Sequence, residues 1–291
     1  MKIVKYFFEF VSIISLFCIF KIIGLKNASN LGGILGKYIG PYFRSKSIVK
    51  KNIKIAFGNI DKEKESEIIH NAWSNIGRTF AEYVFLKNFR LNKTDHNHIK
   101  IKGLDYLNQI KKNNETVIFY SGHFANFELM AMELDKLGIK CAAIYRPLNN
   151  IFLNPLMEYL RMKYICPNQI PKGRLGMREI IAKVKNGYSI ALMVDQRVGE
   201  GPRSLFFNEP AHTTTVPAQI SLKYNCKLVP ISIKRKEGAN FEMDIHEPYE
   251  IQRTGNDEED TTNITLKINQ TMEKMIIDNP LQWIWPHNRW K

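Results

Sequence analysis

The chain has 291 residues and a mass of 33.9 kDa, which is long enough to bury one sizeable core. Its formal net charge of +14 predicts an acidic partner: a nucleic acid, an anionic membrane surface or a phosphorylated substrate. Nucleic acid is the less favoured of these, because the sequence lacks zinc-finger, homeodomain-like and RNP-type motifs. The four cysteines show neither zinc-ligand nor disulfide spacing, which favours a domain in a reducing compartment.

The most hydrophobic segment covers residues 3–25. Its uncharged run, Phe10 to Phe20, is shorter than the roughly 20 apolar residues of a clean transmembrane helix, although lysines near both ends can snorkel. We predict a membrane anchor over residues 1–25 and a single α/β domain over residues 26–291. The lysines and arginines that follow the anchor predict that this domain stays on the cytoplasmic side. Two alternatives stay open for the segment: a helix that lies in the membrane interface without spanning it, and a buried core helix.

A long amphipathic helix is predicted over Glu63–Leu86. From residue 116 onward, short apolar runs alternate with stretches of helical periodicity. Strands are predicted at 116–120, 141–145, 189–194 and 227–234, and helices near 126–137, 151–162, 174–186 and 215–224. This alternation predicts an α/β fold with a mostly parallel central sheet flanked by helices. The acidic stretch GNDEED at 255–260 is interpreted as a solvated loop that caps a helix over Thr262–Ile277.

His123 follows the uncharged strand predicted at 116–120, at a strand-to-helix turn where α/β enzymes present reactive groups. Glu128 comes five residues later, which on an ideal helix is about 140° away, so the two meet only if His123 precedes the helix. A carboxylate in that position fixes the tautomer of the imidazole and raises the basicity of its other nitrogen. A capping or hydrogen-bonded core histidine is compatible with the same pattern.

The candidates for other chemistry are weaker. No G-x-S-x-G nucleophile elbow surrounds Ser121, and the seven histidines are scattered rather than clustered as metal ligands. This leaves direct attack by a substrate hydroxyl, which a positioned base accelerates by roughly 10²–10⁴-fold. We therefore expect neither a metal nor another cofactor.

Three arginines and one aspartate are candidates for substrate binding. Arg146 ends a predicted strand, and Arg174 and Arg178 share one helix face at i and i+4, an arrangement that suits phosphate. A solvated basic helix face is the alternative for this pair. Asp195 also ends an apolar strand, where it either anchors an arginine in the cleft or forms a structural turn.

Six ordered blocks of sequence resemble the lipid A late (secondary) acyltransferases, a branch of the glycerolipid-type acyltransferases. The blocks are SGHFANFE with its His-x4-Glu motif, YRP followed by NP at 154–155, GRLGMREIIAKVKNG, MVDQRVGEGP, FFNEPAHTTTVPAQ and the terminal QWIWPHNRWK. The resemblance implies a glycerol-3-phosphate acyltransferase-like fold in which His123, oriented by Glu128, deprotonates the acceptor. It also places the arginines at phosphate-binding positions.

The resemblance implies further that acyl carrier protein donates the chain and that a phosphorylated, acylated glucosamine lipid accepts it at the inner membrane. Two rival functions remain open: acyl transfer to another lipid, such as a lysophospholipid or glycolipid, and a non-catalytic basic protein that binds membranes.

Two features of the last third of the chain have structural interpretations. Thr213–Pro217 is typical of a helix start with donors toward the cleft. Trp283, Trp285 and Trp290 indicate packing or an interfacial contact.

Overall fold

The structure is a computed structural model that describes residues 2–91, 98–199 and 201–291. Its strands are β1 (Ile99–Lys102), β2 (Ile118–Ser121), β3 (Cys141–Tyr145), β4 (Gln169–Pro171), β5 (Ser189–Met193), β6 (Arg203–Phe206), β7 (Glu209–His212), β8 (Leu228–Arg235) and β9 (Phe241–Ile245). In the described residues, seven of them form a central sheet in the order β1-β9-β8-β2-β5-β3-β4. Every neighbouring pair is parallel except β8 and β9, and β6 pairs with β7 in a separate antiparallel hairpin. The predicted α/β class is confirmed.

Helices flank the sheet and follow the predicted alternation. They are α1 (Lys2–Ile39), α2 (Lys46–Phe57), α3 (Lys62–Glu82), α4 (Leu86–Leu91), α5 (Leu104–Lys112), α6 (Glu128–Lys136), α7 (Leu153–Leu160), α8 (Arg174–Lys185), α9 (Val216–Tyr224) and α10 (Asp257–Asp278). The central strands β2 and β8 are buried along nearly their whole length, as expected for a parallel sheet covered on both faces.

The interpretation of residues 255–260 as a loop is wrong for most of that stretch, because α10 already begins at Asp257. The side chain of Asn256 accepts hydrogen bonds from the backbone N–H groups of Glu258 and Glu259. Four acidic residues then fill the first turn, where the positive end of the helix dipole stabilises them. A run of acids after an asparagine is therefore a helix start here.

The first helix is interrupted at Gly24, whose backbone angles (φ 79°, ψ 164°) are not helical. Within the described residues, Lys2–Tyr42 is the one stretch that is long and apolar enough to cross a membrane. Large apolar side chains before the interruption are exposed: Ile3, Val4, Phe7, Phe8, Val11, Ile19 and Ile22. The anchor over residues 1–25 and the domain over residues 26–291 stay predictions, and the interruption lies next to their boundary.

The part of α1 after Gly24 packs against α3 at a distance that requires glycine. A Cβ atom added to Gly77 would lie 2.0 Å from the carbonyl oxygen of Gly32. At the end of α3, the buried Glu82 accepts a hydrogen bond from Ser29 over 2.8 Å and forms an ion pair with Arg235. This part of α1 therefore belongs to the packed body of the protein.

Candidate active site

The register of two neighbouring strands brings His123 and Asp195 together. Ser121 at the end of β2 pairs with Met193 at the end of β5, and His123 and Asp195 each follow two residues later. Because parallel strands end at the same edge of a sheet, the two side chains meet there. His123 Nδ1 lies 2.7 Å from Asp195 Oδ1, and the backbone N–H of His123 donates to Oδ2 over 2.7 Å.

Asp195 is buried, but it is ionised because its partners lower the pKa of the carboxyl more than burial raises it. Burial alone would raise the pKa of this carboxyl, but the two contacts with His123 and a hydrogen bond from Trp283 Nε1 over 2.8 Å lower it below the usual value. A carboxylate here accepts the proton of His123 Nδ1, which fixes the tautomer of the neutral ring. The lone pair of His123 Nε2 is then available to accept a proton.

Two more side chains complete the surroundings of His123. The amide nitrogen of Gln196 lies 3.3 Å from His123 Nε2. His287 Nε2 accepts the backbone N–H of Arg197 over 2.9 Å. Burial lowers the pKa of His287 to about 4, so this second histidine is neutral at neutral pH. Neither Gln196 nor His287 was predicted as a site residue.

Glu128 has different partners from those predicted. It is the first residue of α6, and its Oε1 accepts hydrogen bonds from Arg161 Nε over 3.0 Å, from Arg161 Nη2 over 2.5 Å and from the Tyr83 hydroxyl. Among the described residues, Asp195 is the carboxylate hydrogen-bonded to His123, which corrects the predicted His123–Glu128 contact. The reason is that β5 lies directly beside β2, whereas the side chain of Glu128 turns toward the residues that follow α3 and α7, Tyr83 and Arg161. Both His123 and Glu128 line the same cavity, and their catalytic roles stay predictions.

Arg161 opens a short π-helical turn after α7 and was missed in the sequence. Burial opposes its charge, but Glu128 and Tyr83 outweigh burial and raise the pKa of the guanidinium. Burial, followed by the charge of Glu128, raises the pKa of the Tyr83 hydroxyl well above its usual value. Within the described part of the chain, Arg161 Nη1 is buried without a hydrogen-bond partner, and Arg161 lines the cavity. This nitrogen is therefore an unsatisfied donor of a charged side chain that lines the cavity.

The cavity has a volume of about 620 Å³ and lies at the carboxyl edge of β2, β3 and β5. Apolar side chains from the sheet and from α6 and α8 form much of its wall, among them Phe119, Met130, Leu134, Ala143, Ile180 and Leu192. Charged and polar groups, including His123, Glu128 and Arg161, line the same space. The described residues contain no group of three or more His, Cys, Asp or Glu side chains that could hold a metal ion. The site thus combines a base, a cation and room for a hydrocarbon chain.

The predicted phosphate-binding arginines do not come together. Arg146 lines the cavity with Lys172, and burial and the like charge of Arg146 lower the pKa of Lys172. Arg174 and Arg178 are exposed on α8 and are not among the described residues that line this cavity. Their exposure agrees with the solvated basic face that was the alternative for this pair, and their role in phosphate binding stays a prediction. Two like charges held together, as in Arg146 and Lys172, suit an anionic group.

The remaining predicted groups are mostly structural. Thr213 is buried and donates to the carbonyl oxygen of Ala211, whereas Thr214 lines the cavity and α9 begins at Val216. The packing interpretation of the tryptophans is confirmed, because all three are buried: Trp283, Trp285 and Trp290. The substrate-binding role predicted for Asp195 is untested, and the structure shows it holding His123 rather than an arginine.

The chain matches the family of bacterial lipid A biosynthesis acyltransferases over residues 1–291. It is 26% identical over 270 residues to a lipid A biosynthesis palmitoleoyltransferase of Escherichia coli, and 24% identical over 270 residues to a lauroyltransferase of that bacterium; both matches cover 90% of this chain and 84% of the relative. It is also 25% identical over 259 residues to a lipid A biosynthesis acyltransferase of Haemophilus influenzae, with 85% of this chain and 78% of the relative covered. The chain therefore belongs to the bacterial lipid A biosynthesis acyltransferase family and is an acyltransferase of lipid A biosynthesis.

Proposed function

We propose that the protein transfers a fatty acyl chain from acyl carrier protein to a hydroxyl of a phosphorylated, acylated glucosamine lipid. The reaction takes place at the cytoplasmic face of the inner membrane. The observation that carries this proposal is a histidine base, fixed by Asp195, in the wall of a largely apolar cavity. O-acyl transfer needs both features, because the base activates the hydroxyl and the cavity accommodates the hydrocarbon chain.

The transfer is direct. His123 Nε2 takes the proton of the acceptor hydroxyl while its oxygen forms a bond with the thioester carbonyl carbon, and the carbonyl oxygen becomes an oxyanion. When the intermediate collapses, the carbon–sulfur bond breaks and the sulfur leaves with the proton that His123 returns. The carboxylate of Asp195 stabilises the imidazolium that exists between these two steps.

The charge of the protein supports an anionic acceptor. Arg146 and Lys172 place two cations on the cavity wall, and the chain as a whole carries a net charge of +14. These charges attract a phosphorylated lipid and an acidic carrier protein over the screening distance of about 8 Å at physiological salt. A carrier protein as the donor rests on the family resemblance together with this charge.

The apolar surface near the cavity supports action at a membrane. Asn150 donates to the backbone oxygen of Tyr6 over 2.9 Å, and the ring of Phe7 packs edge-on against Phe152. The apolar start of α1 therefore lies against the loop that follows β3. Leu148 in that loop lines the cavity and is partly exposed. A bilayer that receives the start of α1 thus meets the side of the protein where the cavity opens.

An acyl-transfer assay on the purified full chain tests the proposal. The acyl carrier protein thioester is offered with the phosphorylated glucosamine lipid or, separately, with a lysophospholipid, and products are measured by mass spectrometry. We expect product on the first acceptor, and a fall in kcat of about 10²–10⁴-fold for His123→Ala. The matched control, His70→Ala on the exposed face of α3, should retain full activity.

Three outcomes count against the proposal. Acylation of the lysophospholipid alone would assign the same chemistry to a different acceptor. Absence of product with either lipid would contradict the proposed donor and both acceptors. Near-native turnover of His123→Ala would show that the base is another group.

A further inference from the structure

We propose that Gln196 is an additional catalytic residue. Its amide contacts Nε2, the reactive nitrogen of His123, in the resting enzyme and donates a hydrogen bond to the oxyanion during transfer. The resting contact is a feature of the structure, because the amide nitrogen of Gln196 lies 3.3 Å from His123 Nε2. The role in the transition state rests on the acyl-transfer function proposed above.

The chemistry of His123 decides which end of the Gln196 amide faces it. When the ring of His123 is neutral and its Nδ1 donates to the Asp195 carboxylate, as a general base requires, Nε2 can only accept a hydrogen bond. The carboxamide must therefore present its NH₂ group, not its oxygen. Consecutive residues, Asp195 and Gln196, thus contact the two nitrogens of one imidazole.

This contact competes with the reaction. The acceptor hydroxyl must lie about 2.6–3.2 Å from Nε2 for its proton to be taken, which is the position that the Gln196 amide occupies. Binding of the acceptor therefore displaces the amide from the nitrogen. The backbone of Gln196 stays in place, because the next residue, Arg197, donates its N–H to His287. The displaced NH₂ group consequently remains near the atoms that react.

The oxyanion needs a donor, and four of the backbone N–H groups around His123 have other partners. The N–H of His123 donates to Asp195, and that of Arg197 donates to His287. The N–H groups of Phe124 and Ala125 donate to the carbonyl oxygens of Gly122 and Gln282. A side-chain amide beside the base is then the nearest donor that the reaction itself sets free.

In this mechanism the proton balance is unchanged. The acceptor proton moves to His123 Nε2, the new carbon–oxygen bond forms, and the NH₂ group of Gln196 donates to the carbonyl oxygen as that oxygen gains its charge. The hydrogen bond weakens when the carbon–sulfur bond breaks and the carbonyl reforms. The proton leaves with the sulfur, and Gln196 returns to Nε2.

Two variants of the full chain test the inference. Gln196→Met keeps the length of the side chain and removes the donor, and we expect kcat to fall about 10²–10³-fold with KM changed by less than about threefold. Gln196→Glu places a carboxylate beside Nε2, which favours the protonated imidazole, so the acid limb of the kcat profile should move to higher pH. The same changes at the exposed Gln270 of α10 are the controls, and unfolding midpoints verify that each variant is folded.

Each result of these experiments either supports the role of Gln196 or overturns it. A kcat of Gln196→Met that is unchanged or higher overturns the inference and leaves the oxyanion to another donor, such as Arg161 Nη1. If kcat falls but the acid limb does not move in Gln196→Glu, Gln196 has only a structural role. This outcome also overturns the inference. A wild-type enzyme that transfers no acyl chain overturns the proposed function itself, which distinguishes that failure from a failure at Gln196.

Discussion

Two buried carboxylates stand beside one cavity, and their partners differ. Asp195 is hydrogen-bonded to the imidazole of His123 and to Trp283, whereas Glu128 forms an ion pair with Arg161 over 2.5 Å. An imidazole gains and loses a proton near neutral pH, but a guanidinium keeps its proton. The first pair can therefore move a proton, whereas the second supplies a fixed arrangement of charge. The partner, more than the carboxylate, determines what each cluster can do.

Asp195→Asn is expected to have the largest effect on activity. The amide oxygen can still accept from the His123 backbone and from Trp283, but the NH₂ group would face His123 Nδ1 and favour the tautomer whose Nε2 is protonated. We expect kcat to fall about 10³–10⁴-fold with little change in the free energy of unfolding. Steady-state kinetics and chemical denaturation measure the two quantities. Asp105→Asn on the exposed face of α5 is the control, and equal activity of the two variants would contradict the role of Asp195.

Glu128→Gln should have the opposite effect, a lower free energy of unfolding with little change in kcat. It leaves the buried Arg161 without its counter-charge, and breaking a buried pair in this way lowers the free energy of unfolding by about 3–5 kcal/mol. Adding Arg161→Met should restore part of that loss, because the uncompensated charge is then gone. Denaturation of the single and double variants measures the coupling.

A more exposed ion pair supplies the control for this cycle. Lys50 is exposed and Glu65 is partly exposed, and the two lie 2.8 Å apart, so Glu65→Gln should change the free energy of unfolding by less than about 1 kcal/mol. If Glu128→Gln kept full stability and lost its activity, Glu128 would act on the reaction itself, as the His-x4-Glu motif predicts.

The same contrast shows what the sequence could and could not predict. The strands that end before His123 and Asp195 were both predicted, and both side chains were singled out. Their contact was not predicted, because the order of strands in a parallel sheet depends on packing between distant parts of the chain. The sequence shows which residues end a strand, but it does not show that β5 rather than β3 lies next to β2. The nearest carboxylate along the chain, Glu128, was therefore assigned to His123.

Arg161 and Gln196 were missed for a related reason. Their contacts with Glu128 and His123 join residues 33 and 73 positions apart, so no local spacing marks them. The strands β4, β6 and β7 are only three or four residues long, too short for an alternating pattern to stand out. Features of the site could be predicted where a single segment carries the signal, as the buried strand before His123 does.

The pH dependence of stability should show a smaller effect, which comes from the protonation of His287. The pKa of His287 is about 4 in the folded protein and near the ordinary 6.5 when unfolded, so the unfolded chain binds the proton more readily. Stability is therefore complete above pH 6.5 and falls as the pH drops toward 4, by about 3 kcal/mol at 1.36 kcal/mol per unit of pKa. His287→Gln keeps an acceptor for Arg197 and should flatten the curve between these pH values. His70→Gln, at an exposed position, should leave the curve as it is.

Two arginines that line the cavity also differ in their partners, and the effect expected at Arg146 is the smallest. Arg161 is held by Glu128, whereas Arg146 forms no ion pair among the described residues and lines the cavity beside Lys172. A free cation that binds a phosphate equally in the ground and transition states affects KM more than kcat. Arg146→Ala should therefore raise KM for the phosphorylated acceptor by about 10–100-fold, which corresponds to the loss of a charged hydrogen bond worth about 1.5–3 kcal/mol.

Kinetics on the phosphorylated acceptor and a dephosphorylated analogue separate phosphate recognition from a general effect. Arg146→Lys should recover only part of the affinity, because an ammonium cannot form the bidentate contact of a guanidinium. Arg178→Ala is the matched control, since this arginine is exposed on α8 away from the cavity wall, and its KM should stay within about twofold. Arg174→Ala should resemble this control if the cavity is the binding site, and it should resemble Arg146→Ala if the phosphate lies outside the cavity over α8. An equal loss on both acceptors for Arg146→Ala would show that Arg146 contacts the acyl donor or the fold instead of the phosphate.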